Sequence, residues 1–256
     1  MTPVSILIAK ELRCFLVSPV FYVVGAVFLF VVGLLAHLAV VNAGQQAVRI
    51  MQIQNSAAQL NLNELVFRQM FASMEIILMF VLPMLTMRLF AEERKLHTFE
   101  FLLTSPIEVH EIISAKYLSV FLIYIGLVTL TGLTPLVLSL YSSFEWSPVL
   151  TGYLALMLQG GLFLAIGVLA STMTENQIVA AFISFGIILV LWLLGGLGHL
   201  LGDSLFGHTL TYLSFTDHYD RLVRSLLDVK DLVYYVSASV LMLFIAHRIV
   251  DSHRWS

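Results

Sequence analysis

The chain has 256 residues, 59% of them hydrophobic and 11% charged, against roughly 45–50% and 25% in soluble domains, so a water-soluble globular fold is excluded. With 13 Lys and Arg against 16 Asp and Glu, it lacks the basic surface that phosphate backbones require, and nucleic acid is excluded as a partner. The single cysteine, Cys14, excludes an internal disulfide.

In chain order, Val4–Val17 mixes Ile6, Leu7, Leu12, Phe15 and Leu16 with Lys10, Glu11 and Arg13, the pattern of a helix lying in the membrane interface. The chain enters the bilayer after Pro19. A transmembrane helix needs about 20 apolar residues. Spans are predicted near Val20–Val41, Ile76–Phe90, Tyr117–Tyr141, Val149–Ser171, Ile178–Leu201 and Leu232–Val250. The first follows Lys10 and Arg13 as a signal peptide would, but it is long and lacks a small-residue cleavage site, so it reads as a retained anchor. The second is short, is extended outward by Phe71 and Met74, and is kinked by Pro83. Asn42–Ser73, polar and rich in Gln and Asn, predicts an external helical excursion. Gly202–Asp231 sets Phe206, Leu210, Tyr212, Phe215, Tyr219 and Leu222 among scattered charges, which predicts amphipathic helices on the outer surface.

Six spans place both termini on one side, and basic residues choose it. With the N-terminus inside, the inner segments hold Lys10, Arg13, Arg88, Arg94, Lys95, Lys116, Arg248 and Arg254, and the outer ones Arg49, Arg68, Arg221, Arg224 and Lys230. Eight against five favours N-in and C-in.

The predicted span interiors contain no Asp or Glu, the groups on which ion-coupled transporters rely. His37, Gln159, His199 and His247 are their polar exceptions, best read as interfacial or helix-bridging. Enzyme signatures are missing too. His110-Glu111 is not followed by a histidine at position 114, Asp217, His218 and Asp220 have no further metal ligand fixed by spacing, and no phosphate-binding P-loop occurs. Gly198 with Gly202, and Gly161 with Ala165, are spaced for close helix packing.

The informative stretch is Ala91–Lys116, AEERKLHTFEFLLTSPIEVHEIISAK. Glu92, Glu93, Arg94, Lys95 and Glu100 accompany an apolar stripe of Leu96, Phe99, Leu102 and Leu103 on a short helix, which Thr104-Ser105-Pro106 ends; Glu108, Glu111 and Lys116 form a polar lead into span three. From residues alone this is either a solvated loop or a docking helix for a soluble partner. The segment resembles the permease subunits of ABC-2 type exporters, where span two is followed by a pattern close to E-E-R-x-x-G-T-x-E-x-L-L-x-S-P and then a lysine entering span three. The match runs through Glu92, Glu93, Arg94, Thr98, Glu100, Leu102, Leu103, Ser105, Pro106 and Lys116, with His97 where glycine is usual and Ala115 where glycine often precedes the lysine. Thr174-Glu175-Asn176-Gln177 and His218–Tyr235 extend the resemblance over nearly the whole chain and make it most similar to the gliding-motility subgroup.

The resemblance implies an all-α integral membrane protein forming one ABC-2 type transmembrane domain over residues 1–256. It has about six transmembrane helices, N-in and C-in, an N-terminal interfacial helix, a cytoplasmic coupling helix between spans two and three, and external helices after spans one and five. It implies a multi-pass permease of the bacterial cytoplasmic membrane that exports a substrate using ATP hydrolysed elsewhere. Two copies of an ABC ATPase subunit would bind the ATP and Mg, and a second permease chain, identical or not, would complete the assembly in membrane lipid. The coupling residues would be Glu92, Glu93, Arg94, Lys95, Phe99, Glu100, Leu103, Ser105 and Pro106, with no catalytic, cofactor or metal ligands in this chain. The rival expectation is an anchor or mechanical transmitter that relays ATPase motion to an extracytoplasmic accessory protein without passing cargo.

Overall fold

A computed structural model describes residues 3–54, 63–99, 107–202 and 204–252, and among them the chain is helical with no strand. The helices are α1 (Pro3–Val17), α2 (Pro19–Gln54), α3 (Arg68–Thr86), α4 (Arg88–Lys95), α5 (Val109–Thr131), α6 (Leu133–Ser139), α7 (Trp146–Met173), α8 (Gln177–Leu200), α9 (Leu205–Leu213), α10 (Phe215–Val223) and α11 (Val229–Ser252). A π-turn, Asn63–Phe67, leads into α3. Six stretches are long and apolar enough to cross a membrane: Pro19–Gln46, Leu65–Lys95, Val109–Ser139, Trp146–Met173, Gln177–Leu200 and Val229–Ser252. Among the described residues the fold thus holds six candidate crossings, the number that the sequence predicts.

The core forms around α7, whose most apolar window is 83% buried, against 22% for α8 and for α11. Apolar side chains gain little by leaving lipid for protein, so close packing and hydrogen bonds must hold such helices together. Glycines permit that approach on α7. A Cβ on Gly152 would sit 2.2 Å from the Phe71 ring, one on Gly160 2.2 Å from Tyr124, and one on Gly167 2.0 Å from Thr86 Oγ1. Tyr124 Oη, fully buried, donates to the Leu156 carbonyl at 2.6 Å. Of the glycines singled out by spacing, Gly198 abuts the α9 backbone, at 2.8 Å from Thr211 N to its would-be Cβ, whereas Gly161 meets only side chains, the Tyr117 hydroxyl at 3.2 Å and the Phe121 ring at 3.4 Å.

Element boundaries follow local chemistry. Asn176 caps α8, accepting from Ile178 N at 3.0 Å, and Ser204 caps α9, accepting from Gly207 N at 2.9 Å. At the start of α5, the Glu111 carboxylate accepts from Glu108 N at 3.3 Å. Helix α5 breaks at Gly132 because Pro135, lacking an N–H, leaves the Thr131 carbonyl without its helical donor.

Three expectations are corrected. Span two is not short: α3 begins at Arg68, runs through Pro83 and breaks only at Met87. The helical excursion predicted over Asn42–Ser73 has different bounds, since α2 continues unbroken to Gln54 and α3 starts at Arg68, residues 55–62 lying outside the described ones. The spans are not free of acids either. Glu75, 7% exposed inside α3, accepts a hydrogen bond at 3.4 Å from Nε2 of fully buried Gln159 at the centre of α7. An acid inside a span is expensive, and the amide of Gln159 from a facing span is the polar partner it is given.

Candidate functional site

Helix α4 continues almost directly from α3, with Leu89, Phe90 and Ala91 turned inward. Its first-turn N–H groups cannot be satisfied within a helix. Ser171 of α7 satisfies two of them, its Oγ accepting from Phe90 N at 2.9 Å and Ala91 N at 3.1 Å while donating to the Met87 carbonyl at 3.1 Å. Arg94 Nη1 donates to the Thr172 carbonyl at 2.7 Å, and its Nη2 lies 3.8 Å from Glu175. Arg88 reaches Ser18 Oγ at 2.6 Å, between α1 and α2, and Glu92 at 3.2 Å.

Lys116 is the centre of the arrangement. Its ammonium, only 4% exposed, donates to Glu11 Oε1 at 3.1 Å, Glu93 Oε1 at 2.8 Å and the Leu89 carbonyl at 2.6 Å. These fill its three N–H directions. The ammonium also lies 5.0 Å from the centre of the Phe90 ring, and Lys10 adds a bridge of 3.6 Å to Glu93. One buried cation thus binds α1, α4 and α5 into a unit. Lys116 is a buried junction and not the polar lead that its position suggests.

At the far end of α4 the chain turns sharply. His97 has φ of +54°, Thr98 N donates to the Glu93 carbonyl at 3.0 Å, and His97 N donates to the Arg94 carbonyl at 3.1 Å. This paired pattern ends a helix through a left-handed residue, normally glycine. The histidine standing in a glycine position therefore keeps the turn that glycine would make. Lys95, Leu96, His97 and Thr98 are exposed on it, Leu96 to 63%. Phe99 folds back, 7% exposed, edge-on to Phe90 with ring centres 6.2 Å apart.

The predicted coupling residues thus divide. Glu92, Glu93 and Arg94 are half-buried and bonded within the chain, Lys95 is exposed and makes no side-chain bond among the described residues, and Phe99 is part of the core. Glu100, Leu103, Ser105 and Pro106 lie outside the described residues. Sequence reasoning missed Glu11, Ser18 and Ser171, for which no local pattern exists.

The opposite end carries a second ionic junction. Asp231, fully buried, receives His218 Nδ1 at 2.6 Å, Arg221 Nε at 3.0 Å and Arg221 Nη2. That hydrogen bonding pushes the Arg221 guanidinium further above its usual range. His218 Nε2 is 3.0 Å from the Tyr212 carbonyl, and the ring stacks on Tyr234 with centres 4.0 Å apart. Asp217 pairs with His199 at 2.9 Å, and Asp220 with Arg68 at 3.2 Å and Arg224 at 2.8 Å. Asp217, His218 and Asp220 therefore point to three different partners. Tyr219 Oη donates to the Phe71 carbonyl at 2.9 Å, and burial pushes its pKa well up, so it stays a donor.

The sequence model of the ABC-2 family transporter proteins matches residues 5–250. No curated protein matches the chain. Membership in this family implies an ABC ATPase partner and often a dimer. With six candidate crossings and a family match over nearly its whole length, the chain belongs to the ABC-2 family transporter proteins, as a multi-pass membrane permease component of an ABC transporter.

Proposed function

We propose that the chain is the permease subunit of an ATP-driven exporter in a bacterial cytoplasmic membrane, N-in and C-in, worked by two ATPase subunits that hold the ATP and Mg. The observation that carries this reading is the division of the α4 segment. One face is bonded to α1, α5 and α7 through Glu93, Lys116, Ser171 and Thr172, while Lys95, Leu96, His97 and Thr98 stand exposed at its tip. A push on such a tip is carried into three packed elements at once, which fits a bistable rearrangement of spans better than side-chain catalysis. Glu100, Leu103, Ser105 and Pro106 continue this contact in the proposal, and the inward Phe99 supports it by bracing Phe90. The gliding-motility subgroup remains the closest reading of the motifs.

A second permease chain is part of the proposal. Helices α2 and α8 leave large apolar side chains uncovered, with Phe30 71% and Phe182 72% exposed. Lipid or a second copy can cover such faces without cost.

The test is to purify the Leu96→Glu and Glu100→Lys variants with the ABC ATPase. Co-purification should drop about tenfold, the loss expected from one desolvated contact, and nucleotide turnover should lose its response to the permease. Wild-type behaviour of both variants on both readouts rejects the docking role.

One observation favours a transmitting role as a second reading. Helix α2 runs for 36 residues, well past the roughly 20 that a crossing needs, offering a surface to an extracytoplasmic protein. Shortening 47–62 separates the two: loss of a bound external protein with intact vesicle export favours transmission, and loss of export favours passage.

A further inference from the structure

Away from α4, at the other end of the 24-residue α8 and so about 36 Å distant, the last turn of α8 and helices α9, α10 and α11 enclose a cavity of about 560 Å³. Its wall includes His199, His208, His218, Arg221 and Lys230, with Asp217 as a carboxylate. We propose that this cavity binds the phosphodiester group of a glycerophospholipid headgroup, a role independent of ATPase coupling.

Three observations carry it. First, the donors are held in place. Arg221 is fixed by Nε and Nη2 to buried Asp231, and its remaining nitrogen, Nη1, makes no hydrogen bond among the described residues. A pre-oriented guanidinium with a free N–H edge suits a phosphate oxygen. Second, the acids near the cavity are already engaged: Asp217 by His199 at 2.9 Å, Asp228 by Lys230 at 2.7 Å, and Asp231 by Arg221 and His218. Asp217, the one carboxylate in the wall among the described residues, tolerates a singly charged diester far better than a doubly charged phosphate monoester, because like charges in a partly buried site repel strongly. Third, the surroundings are lipid-like. Leu200 and Leu205 are 84% and 88% exposed and Phe206 65%, on the helices that form the rim. Apolar residues pointing outward beside a polar cavity that holds Arg221 and Lys230 are what the headgroup boundary of a bilayer requires. The volume matches a headgroup and its glycerol, since sites for small molecules begin near 300 Å³, and it is far too large for a bare ion.

The test uses the full-length protein in detergent and the His208→Gln/Lys230→Gln double variant. Both replaced side chains are exposed, so melting should not change. Native mass spectrometry is run with phosphatidylglycerol, with diacylglycerol, and with inorganic phosphate alone. The expected result is that the wild type retains phosphatidylglycerol over diacylglycerol, and that the variant binds it about tenfold more weakly, as loss of a charged hydrogen bond predicts. An Arg13→Gln control, removing an exposed cation of α1, should bind like the wild type. Inorganic phosphate that binds the wild type alone, lost in the double variant and displacing the lipid, assigns the same groups to a free phosphate. Equal retention of diacylglycerol, or an undiminished double variant, overturns the proposal.

Discussion

The two ends of the bundle solve the same problem with opposite signs. At the α4 end a buried ammonium, Lys116, is held by Glu11 and Glu93, and at the other end a buried carboxylate, Asp231, is held by Arg221 and His218. The difference is reach. Lys116 and Glu11 lie 105 residues apart, whereas Asp231 is 10 residues from Arg221 and 13 from His218. The first junction ties separate elements across the fold, and the second closes a local corner between α10 and α11. A force applied to the first is therefore shared among distant helices, while the second keeps one cap in shape.

The largest expected effects come from removing either central charge. Lys116→Met leaves Glu11 and Glu93 facing each other and should cost about 3–5 kcal/mol, the loss expected for a buried pair deprived of one partner; thermal unfolding in detergent measures it. Asp231→Asn should cost somewhat less, about 3 kcal/mol, because Arg221 is 33% exposed and water can take over part of the lost interaction. The contrast sharpens in transport assays. Lys116→Met should uncouple ATP turnover from export even in the folded fraction, and Asp231→Asn should lower the yield of folded protein with coupling kept per molecule. Identical coupling in both variants breaks the distinction.

Smaller effects probe how the spans meet around α7. Gly160→Ala places a methyl 2.2 Å from Tyr124 and should cost about 1–3 kcal/mol through overpacking, seen as a lower melting temperature. Ser171→Ala strips the α4 N-terminus of its acceptor and should cost about 1–2 kcal/mol, with raised hydrogen exchange at Phe90 and Ala91 as its signature. The smallest change is at the turn. His97→Gly should be neutral or stabilising by about 0.5–1 kcal/mol and His97→Val destabilising, because the left-handed conformation suits glycine and penalises a β-branched residue.

The crossings are legible because runs of about 20 apolar residues admit no other reading. The start of span two is not, because Arg68, Ser73 and Glu75 look like a polar flank until Gln159 of α7 and Asp220 of α10 are brought against them. The Glu-Glu-Arg motif falls on α4, and its lysine falls on α5, the element bonded to α4 through Glu93. What the motif leaves hidden is direction: Glu93 and Arg94 face partners on α1, α5 and α7 that are scattered over the chain, and Phe99 turns back onto Phe90 of α4 itself. Hydroxyl anchors such as Ser18 and Ser171 are equally silent, since an isolated serine in an apolar stretch carries no pattern. The turn at His97 was legible only as an exception to a glycine, and it proves to keep the glycine's geometry.

Helix α2 has a mechanical consequence. Its 36 residues make a rod about 54 Å long, against a hydrocarbon layer of about 30 Å. Its foot adjoins Ser18, which Arg88 at the start of α4 holds at 2.6 Å. A tilt of about 10° at that foot swings the distant tip by about 9 Å, given the length of the rod. A displacement too small to notice beside α4 thus becomes, at the other end of the same helix, a stroke as wide as a helix is thick.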